Sequence, residues 1–160
     1  MKRALALAGV LALLAGTGTA IAAISKGKFA GKTSAGDPLG FRVDSSNRVY
    51  SFYFQGVTLK CTDGDSFDSP SKENPDSSGA TEVRTPKSVR FDISKTNKWG
   101  LTASNKAEGN GYEVRGKFTS QDKSTGTFSI FANFDAQNNP DPDGEVRCKS
   151  GDLKFSAKRR

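Results

Sequence analysis

The sequence predicts an all-β protein, an antiparallel β-sandwich or flattened barrel of roughly eight or nine strands that follow a cleaved signal helix. Three observations lead to this prediction. Beyond residue 22, apolar and polar residues alternate with the period of half-buried strands, and no helical period occurs. Glycine, proline, asparagine and serine separate the alternating runs. The runs follow one another at hairpin-like spacing, which is typical of sandwiches and barrels.

The N-terminal residues have the layout of a secretory signal peptide. Two basic residues precede the apolar run 4–15, and a small-x-small sequence follows at 20–22. The run is too short to cross a bilayer of about 30 Å as a helix. We therefore expect residues 1–22 to be a signal peptide and residues 23–160 to be a single secreted β-domain. The mature chain is expected to be extracellular, or periplasmic, with no membrane anchor.

The expected core consists of the alternate apolar residues of each run. These residues are, in chain order, Phe29; Phe41 and Val43; Val57, Leu59 and Cys61; Val89, Phe91 and Ile93; Trp99, Leu101 and Ala103; Tyr112, Val114 and Phe118; Phe128, Ile130, Ala132 and Phe134; Val146 and Cys148; Leu153, Phe155 and Ala157. The run from Val49 to Phe54 is predicted as a strand without a choice of its inward residues. Antiparallel strands with one wet and one buried face give this pattern.

Charge is distributed unevenly along the chain. The net charge is +7, yet residues 63–86 hold six acids, one arginine and one lysine, together with three prolines and few apolar residues. Because the segment has few apolar residues, it buries too little surface to offset the conformational entropy lost on ordering. We therefore expect a flexible acidic loop there. Residues 135–145 form a second acidic connection. Basic residues are consequently concentrated along the strands.

The chain contains two cysteines, Cys61 and Cys148. Because disulfides persist outside the cytoplasm, we expect these residues to be bonded, with Cα atoms about 5–6 Å apart. The alternative is a pair of buried free thiols.

Several motifs resemble a loosely defined group of small secreted bacterial β-domains. The group has a G-x-[FY]-x-G-x-T opening strand, a first cysteine, a G-x-F strand and a C-x-[ST]-G-x-[VL]-x-[FW] ending. The matching residues are Gly27, Phe29, Gly31 and Thr33; Cys61; Gly116 and Phe118; and Cys148, Ser150, Gly151, Leu153 and Phe155. The resemblance implies a secreted all-β domain with a disulfide. The group has no assigned activity, so it implies no functional residue, and the acidic insertion after Cys61 departs from it.

Basic residues alternate with apolar ones in two of the predicted strands, at Arg115 and Lys117 and at Arg147 and Lys149. The default interpretation is the solvated side of an antiparallel sheet. If the strands are neighbours, however, the four residues form a cationic face for an anionic polymer or glycan. No aromatic residue is interleaved to stack bases, so we expect no specific nucleic acid.

An alternation of oxygen ligands at Asp141, Asp143 and Glu145 is similar to the front half of a calcium loop. The match fails further on, because the twelfth position counted from Asn139 is Ser150, where a bidentate glutamate is needed. We therefore expect solvated acidic turns and no metal or other cofactor.

Two further side-chain sets have functional alternatives. Tyr50, Tyr53 and Trp99 are the residue types of a sugar-binding platform, although core packing is the default for them. Asp63 and Asp65 are a carboxylate pair of the type used in glycoside hydrolysis, but they lie in the segment expected to be mobile.

The chain has no histidine, which removes the commonest general base and the commonest metal ligand. We expect no catalytic residues. The predicted function is that of a secreted, non-enzymatic binding module for an extracellular or cell-envelope polymer or protein. The alternatives are a structural surface or matrix component and a carboxylate-dependent glycoside hydrolase.

Overall fold

The computed structural model describes residues 23–76, 78–105, 109–137 and 139–160, which form twelve β-strands. All strand pairings are antiparallel, so the predicted all-β antiparallel fold is confirmed. The strands are β1 (Gly27–Thr33), β2 (Pro38–Val43), β3 (Arg48–Phe54), β4 (Thr58–Cys61), β5 (Ser66–Asp68), β6 (Val83–Arg84), β7 (Arg90–Asp92), β8 (Lys98–Asn105), β9 (Asn110–Ser120), β10 (Lys123–Phe134), β11 (Val146–Lys149) and β12 (Leu153–Arg159).

The predicted signal peptide, residues 1–22, lies outside the described residues. Within the described ranges, no helix has the length and hydrophobicity needed to cross a membrane.

The strands form one sheet that branches at β10. The main order is β5-β4-β11-β10-β12-β1-β2-β3-β6, while β9 pairs with β10, β8 with β9, and β7 with β3. One edge of β10 pairs with β9 along its length, and the other edge pairs first with β12 and then with β11. A short turn connects β7, on one end of the sheet, with β8, on the other. The sheet therefore rolls around a core, in agreement with the predicted sandwich or flattened barrel.

The main core is rich in aromatic rings. Phe29 stacks on Phe41 with ring centroids 5.1 Å apart, and Phe41 contacts Trp99 at 4.7 Å. The indole N–H of Trp99 donates to the Ser124 hydroxyl at 3.1 Å, which satisfies the buried polar atom. Trp99 lies directly opposite Gly116, where a Cβ would be 2.2 Å from the indole ring. The glycine of the G-x-F motif therefore makes room for the tryptophan.

Two expectations about the core are wrong. Val89 does not point inward but is 36% exposed, because it lies in a turn before β7 and its N–H donates to the Pro86 carbonyl at 3.1 Å. Tyr50 and Tyr53 are only half-buried, on the outer side of β3. The register between β2 and β3 shifts near Ser51, whose φ is 52°, and this irregularity changes which side of the strand each later residue faces.

The acidic segment 63–86 contributes two short strands, which raise the strand number above the eight or nine predicted. β5 pairs with β4, and β6 pairs with β3. Ser69 attaches the segment to the fold, because its buried hydroxyl accepts a hydrogen bond from the Val57 N–H at 2.8 Å. The flexibility of this segment stays a prediction.

The predicted disulfide is confirmed. Cys61 in β4 lies directly opposite Cys148 in β11, and the two are bonded. Their Cα atoms are 3.9 Å apart, closer than the predicted 5–6 Å, because the bond joins paired residues of adjacent strands. A smaller hydrophobic cluster surrounds the bond, with Leu59, Ala132 and Cys148 buried and Ile130 and Phe134 packed against them.

Candidate functional site

The four cations that the sequence suggested for an anionic-ligand face all lie on the exposed side of their strands, in two groups. Arg115 and Lys117 are in β9, while Arg147 and Lys149 are in β11, and these strands pair with opposite edges of β10. Arg115 and Lys149 are offset by four residues of β10, about 13 Å along the strand. The two strands are therefore not neighbours, and the groups occupy different parts of the outer surface.

One of the four charges is compensated by an acid. Arg115 forms an ion pair with Glu113 of the same strand, at the exposed surface. Lys117, Arg147 and Lys149 form no ion pair with any residue that the structure describes. Three of the four predicted cations are therefore available to an anionic partner.

A cleft of 450 Å³ lies beside the second group, and we call it the basic cleft. Arg147 and Lys149 line it together with Phe131 and Asn133 of β10. Phe131 lies directly opposite Lys149, and its ring covers Gly111, where a Cβ would be 2.8 Å away. The sequence reasoning missed Phe131. The signal was the period of β10 itself, since its even-numbered residues from 128 to 134 face inward.

A larger set of cations covers the outer side of β8, β9, β10, β12 and β1, and we call it the strand patch. Neighbouring strands about 4.8 Å apart give these five strands a width of about 19 Å. The hydroxyl residues Thr125, Thr127 and Ser156 lie between the charges. The cations of the strand patch are Lys32, Lys98, Arg115, Lys117, Lys123, Lys154 and Lys158, all exposed.

Four pairs of cations lie directly opposite each other in neighbouring strands. Like charges in this position destabilise a sheet. All eight residues are exposed, and none forms an ion pair with a described residue. Among the described pairings, a single directly opposite pair has unlike charges, Arg48 with Asp92. The like-charged pairs are Lys28–Arg42, Lys60–Lys149, Lys98–Lys117 and Lys123–Lys158.

Asp44, in the turn between β2 and β3, is paired within the fold. Its carboxylate accepts the N–H groups of Ser46 and Arg48 and the guanidinium groups of Arg48 and Arg90, the last at 2.7 Å. Burial raises the pKa of Asp44, but the hydrogen bonds from Arg48 and Ser46 outweigh it and hold the pKa below 3.8. This acid therefore compensates arginines at the edge of the sheet and not the lysines of the strand patch.

The aromatic residues considered as a sugar platform are separated. Trp99 is buried in the core, as the default interpretation predicted. The Arg84 guanidinium lies 4.5 Å from the ring centroid of Tyr53, and that of Arg90 lies 5.0 Å from Tyr50. These cation–π contacts cover one side of each tyrosine ring. The three rings form no common platform for stacking on a sugar.

The acidic connection after β10 forms hydrogen-bonded turns. The carboxylate of Asp141 accepts the N–H of Asp143 at 2.9 Å. The Asp135 carboxylate accepts hydrogen bonds from the backbone N–H and the side-chain amide of Asn139 and from the backbone N–H of Gln137. These hydrogen bonds, those from Asn139 above all, lower the pKa of Asp135. Among the described residues, no group of three or more metal-ligating side chains is placed to hold a metal ion, and this includes Asp141, Asp143 and Glu145.

The carboxylates considered for hydrolysis lie in an exposed turn beside the disulfide. The Asp63 carboxylate accepts the N–H of Asp65 at 3.1 Å, so it stabilises the turn that contains both residues. This hydrogen bond gives the Asp63 carboxylate a local structural role.

The chain matches no protein-family model, and no curated protein matches its sequence. The cationic outer surface and the cavities are therefore the features that bear on function.

Proposed function

We propose that this protein is a secreted binding module that holds an anionic polymer on the strand patch and carries out no reaction. The observation that carries the proposal is that two opposed pairs, Lys98–Lys117 and Lys123–Lys158, belong to the strand patch and form no ion pair with a described residue. An anionic polymer bound along the sheet would neutralise these charges and remove the repulsion. Each neutralised anionic group also releases a counterion, which favours binding.

The form of the strand patch favours a polymer over a small anion. Seven cations are spread over five strands, about 19 Å in width, so a ligand with repeated charges is needed to reach several of them at once. Lys98, Lys117 and Lys32 lie in one row across the sheet, with the hydroxyls of Thr125 and Ser156 between them. These hydroxyls are suited to the carboxylate and hydroxyl groups of an acidic polysaccharide.

A nucleic acid fits this patch less well. Single-stranded nucleic acids bind through aromatic rings on which bases stack. The described outward residues between the cations of the strand patch include no aromatic ring, and the outward ring of Phe131 lies about 13 Å further along β10 from Thr127. An acidic glycan or wall polymer is therefore the class of ligand that we propose.

Export of the protein is part of the proposal. The disulfide between Cys61 and Cys148 is consistent with an oxidising compartment such as the extracellular space or the periplasm. The signal-like residues 1–22 support the same location. The absence of histidine from the sequence and the structural role of the Asp63 carboxylate support a binding function without catalysis.

The experiment is a titration of the mature protein with polygalacturonate at several salt concentrations, with neutral dextran as the polymer control. We expect binding to polygalacturonate alone, with an affinity that falls steeply as salt rises. The double variant Lys117→Gln, Lys158→Gln should bind about 30-fold more weakly, at about 1 kcal/mol for each lysine near an anionic surface.

The matched control is the double variant Lys72→Gln, Lys87→Gln, which removes the same charge from exposed lysines outside the strands. It should bind nearly as well as the parent protein. Binding that is insensitive to salt, or equal losses in the two double variants, would contradict a specific role of the strand patch.

A further inference from the structure

A cavity of 810 Å³ lies where the main core meets the smaller cluster around the disulfide. Phe54 and Tyr112 reach it from the main core, while Leu59 and Phe134 reach it from the smaller cluster. Ile130, which also lines the cavity, packs against both clusters. The space is partly open to solvent, so a small molecule is able to enter it. Its volume lies within the range of small-molecule sites, about 300–1,000 Å³.

The mouth of the cavity has an exposed aromatic side chain. Phe67 of β5 lines the cavity and is 45% exposed, with its ring centroid 5.4 Å from that of Phe134. The Phe67 ring therefore offers accessible apolar surface beside that of Phe134. A ligand that enters the cavity along these two rings would bury apolar surface on both.

Tyr112 supplies a polar atom to a wall that is otherwise mainly apolar. Its ring packs between those of Phe54 and Phe128, at centroid distances of 5.3 and 6.4 Å. Its hydroxyl has no hydrogen-bond partner among the described residues. Burial raises the pKa of Tyr112 to about 12, so the hydroxyl stays protonated at neutral pH and is able to donate.

The charged residues of the wall select against an anionic ligand. A hydrogen bond from the Ser78 hydroxyl, followed by one from a backbone N–H, lowers the pKa of Asp76, so this carboxylate is ionised at neutral pH. The guanidinium group of Arg84 is already bound to Glu82 and to the carbonyl and hydroxyl oxygens of Ser51. An anionic headgroup would therefore meet a negative charge and no free cation among these residues.

We propose that this cavity binds an uncharged, mainly apolar small molecule that carries an aromatic ring and one hydrogen-bond acceptor for the Tyr112 hydroxyl. The site is separate from the strand patch, which lies on the outer side of the sheet. Binding of an anionic polymer and binding of an apolar molecule are consequently independent properties, and either is testable without the other.

The test is a fluorescence titration of the mature protein with prodan, an uncharged naphthalene that carries one ketone, at high salt. High salt suppresses electrostatic binding on the outer surface. We expect saturation at one molecule per chain. Anilinonaphthalene sulfonate, which is anionic, should compete poorly with prodan for the cavity. If it binds as tightly as prodan, the inference that the ligand is uncharged is overturned. An absence of saturable prodan binding would overturn the site itself.

Three variants connect the binding to the cavity. Ala132→Leu fills part of the space and should weaken prodan binding at least about tenfold, equal to about 1.4 kcal/mol. Phe67→Ser should weaken binding several-fold without disturbing the core, because the residue is exposed. Tyr112→Phe should bind prodan more weakly than the parent protein does, because prodan carries a ketone that accepts from the Tyr112 hydroxyl. A naphthalene without a carbonyl group should bind this variant and the parent protein equally well.

The control is Val89→Ser, the removal of another exposed apolar side chain that lies outside the cavity. It should leave prodan binding unchanged. The proposal is overturned if a folded Ala132→Leu variant binds as tightly as the parent protein, or if Val89→Ser loses as much affinity as Phe67→Ser. Circular dichroism shows whether each variant is folded. If Ala132→Leu does not fold, the comparison of Phe67→Ser with Val89→Ser decides whether the cavity binds prodan.

Discussion

The opposed cations predict that this protein gains stability when one member of each pair is neutralised. The perturbation is a quadruple variant in which each glutamine retains most of the length of the lysine that it replaces. Every substitution removes one cross-strand repulsion and leaves the remaining partner in place. The four substitutions are Lys28→Gln, Lys60→Gln, Lys98→Gln and Lys123→Gln.

The expected magnitude follows from the spacing of paired side chains. Two exposed charges about 6 Å apart in water repel each other by about 0.7 kcal/mol. A Debye length of about 8 Å at physiological ionic strength reduces this energy to about half. Four pairs therefore give about 3 kcal/mol in the free energy of unfolding at low salt and about 1 kcal/mol at physiological salt, within the range of measured cross-strand pairs.

The assay is equilibrium unfolding in urea, which is uncharged and does not screen the repulsion. The matched control is the quadruple variant Lys32→Gln, Lys87→Gln, Lys95→Gln, Lys154→Gln. It loses the same charge, but Lys32 and Lys154 lie opposite Ser156, Pro38 and Thr127, and Lys87 and Lys95 lie outside the strands. The reasoning is refuted if the control gains as much stability, or if the gain of the first variant does not fall with salt.

Three further predictions concern the fold. Replacing Cys61 and Cys148 together with alanine should lower the free energy of unfolding by about 4–5 kcal/mol in urea unfolding, because the bond closes a segment with a sequence separation of 87; a loss under about 1 kcal/mol would contradict this. Gly116→Ala should cost about 1–3 kcal/mol, measured in the same way, because its Cβ would lie 2.2 Å from the Trp99 ring. Because the folded-state pKa of Asp44 lies below 3.8, its stabilisation is present above that pH and lost as the pH falls through the folded-state pKa. The Tm difference between the parent and Asp44→Asn should therefore shrink in acid, and an undiminished difference at about pH 2 would contradict the assignment.

The local pattern of the sequence predicted the strands well because side-chain alternation is a property of a few consecutive residues. Val114 and Phe118 are buried and Arg115 and Lys117 exposed, as their alternation indicates. The pattern gave no inward set for β3, where a bulge changes the phase. In β3 the register shift near Ser51 places Phe52 inside and Tyr53 outside, and no short-range signal marked this position.

The sequence by itself determined the fold class, the disulfide partners and the outward direction of most cations. Alternation fixes the fold class and the outward direction within each strand, and the chain has just two cysteines to pair. Which residues share a face with which neighbours was decided by tertiary structure. Arg115 and Lys149 lie in separate groups because β9 and β11 pair with opposite edges of β10 at different positions along it.

The cross-strand register is also what places Lys123 opposite Lys158 and creates the cavity between the two clusters. Register depends on pairing between segments that are distant in the chain, and a shift of two residues would preserve every inward and outward assignment while moving each pair by about 7 Å. The alternation of apolar and polar residues therefore does not distinguish the two registers. The opposed cations, on which the proposed function depends, and the apolar cavity, on which the further inference depends, were therefore visible only in the folded chain.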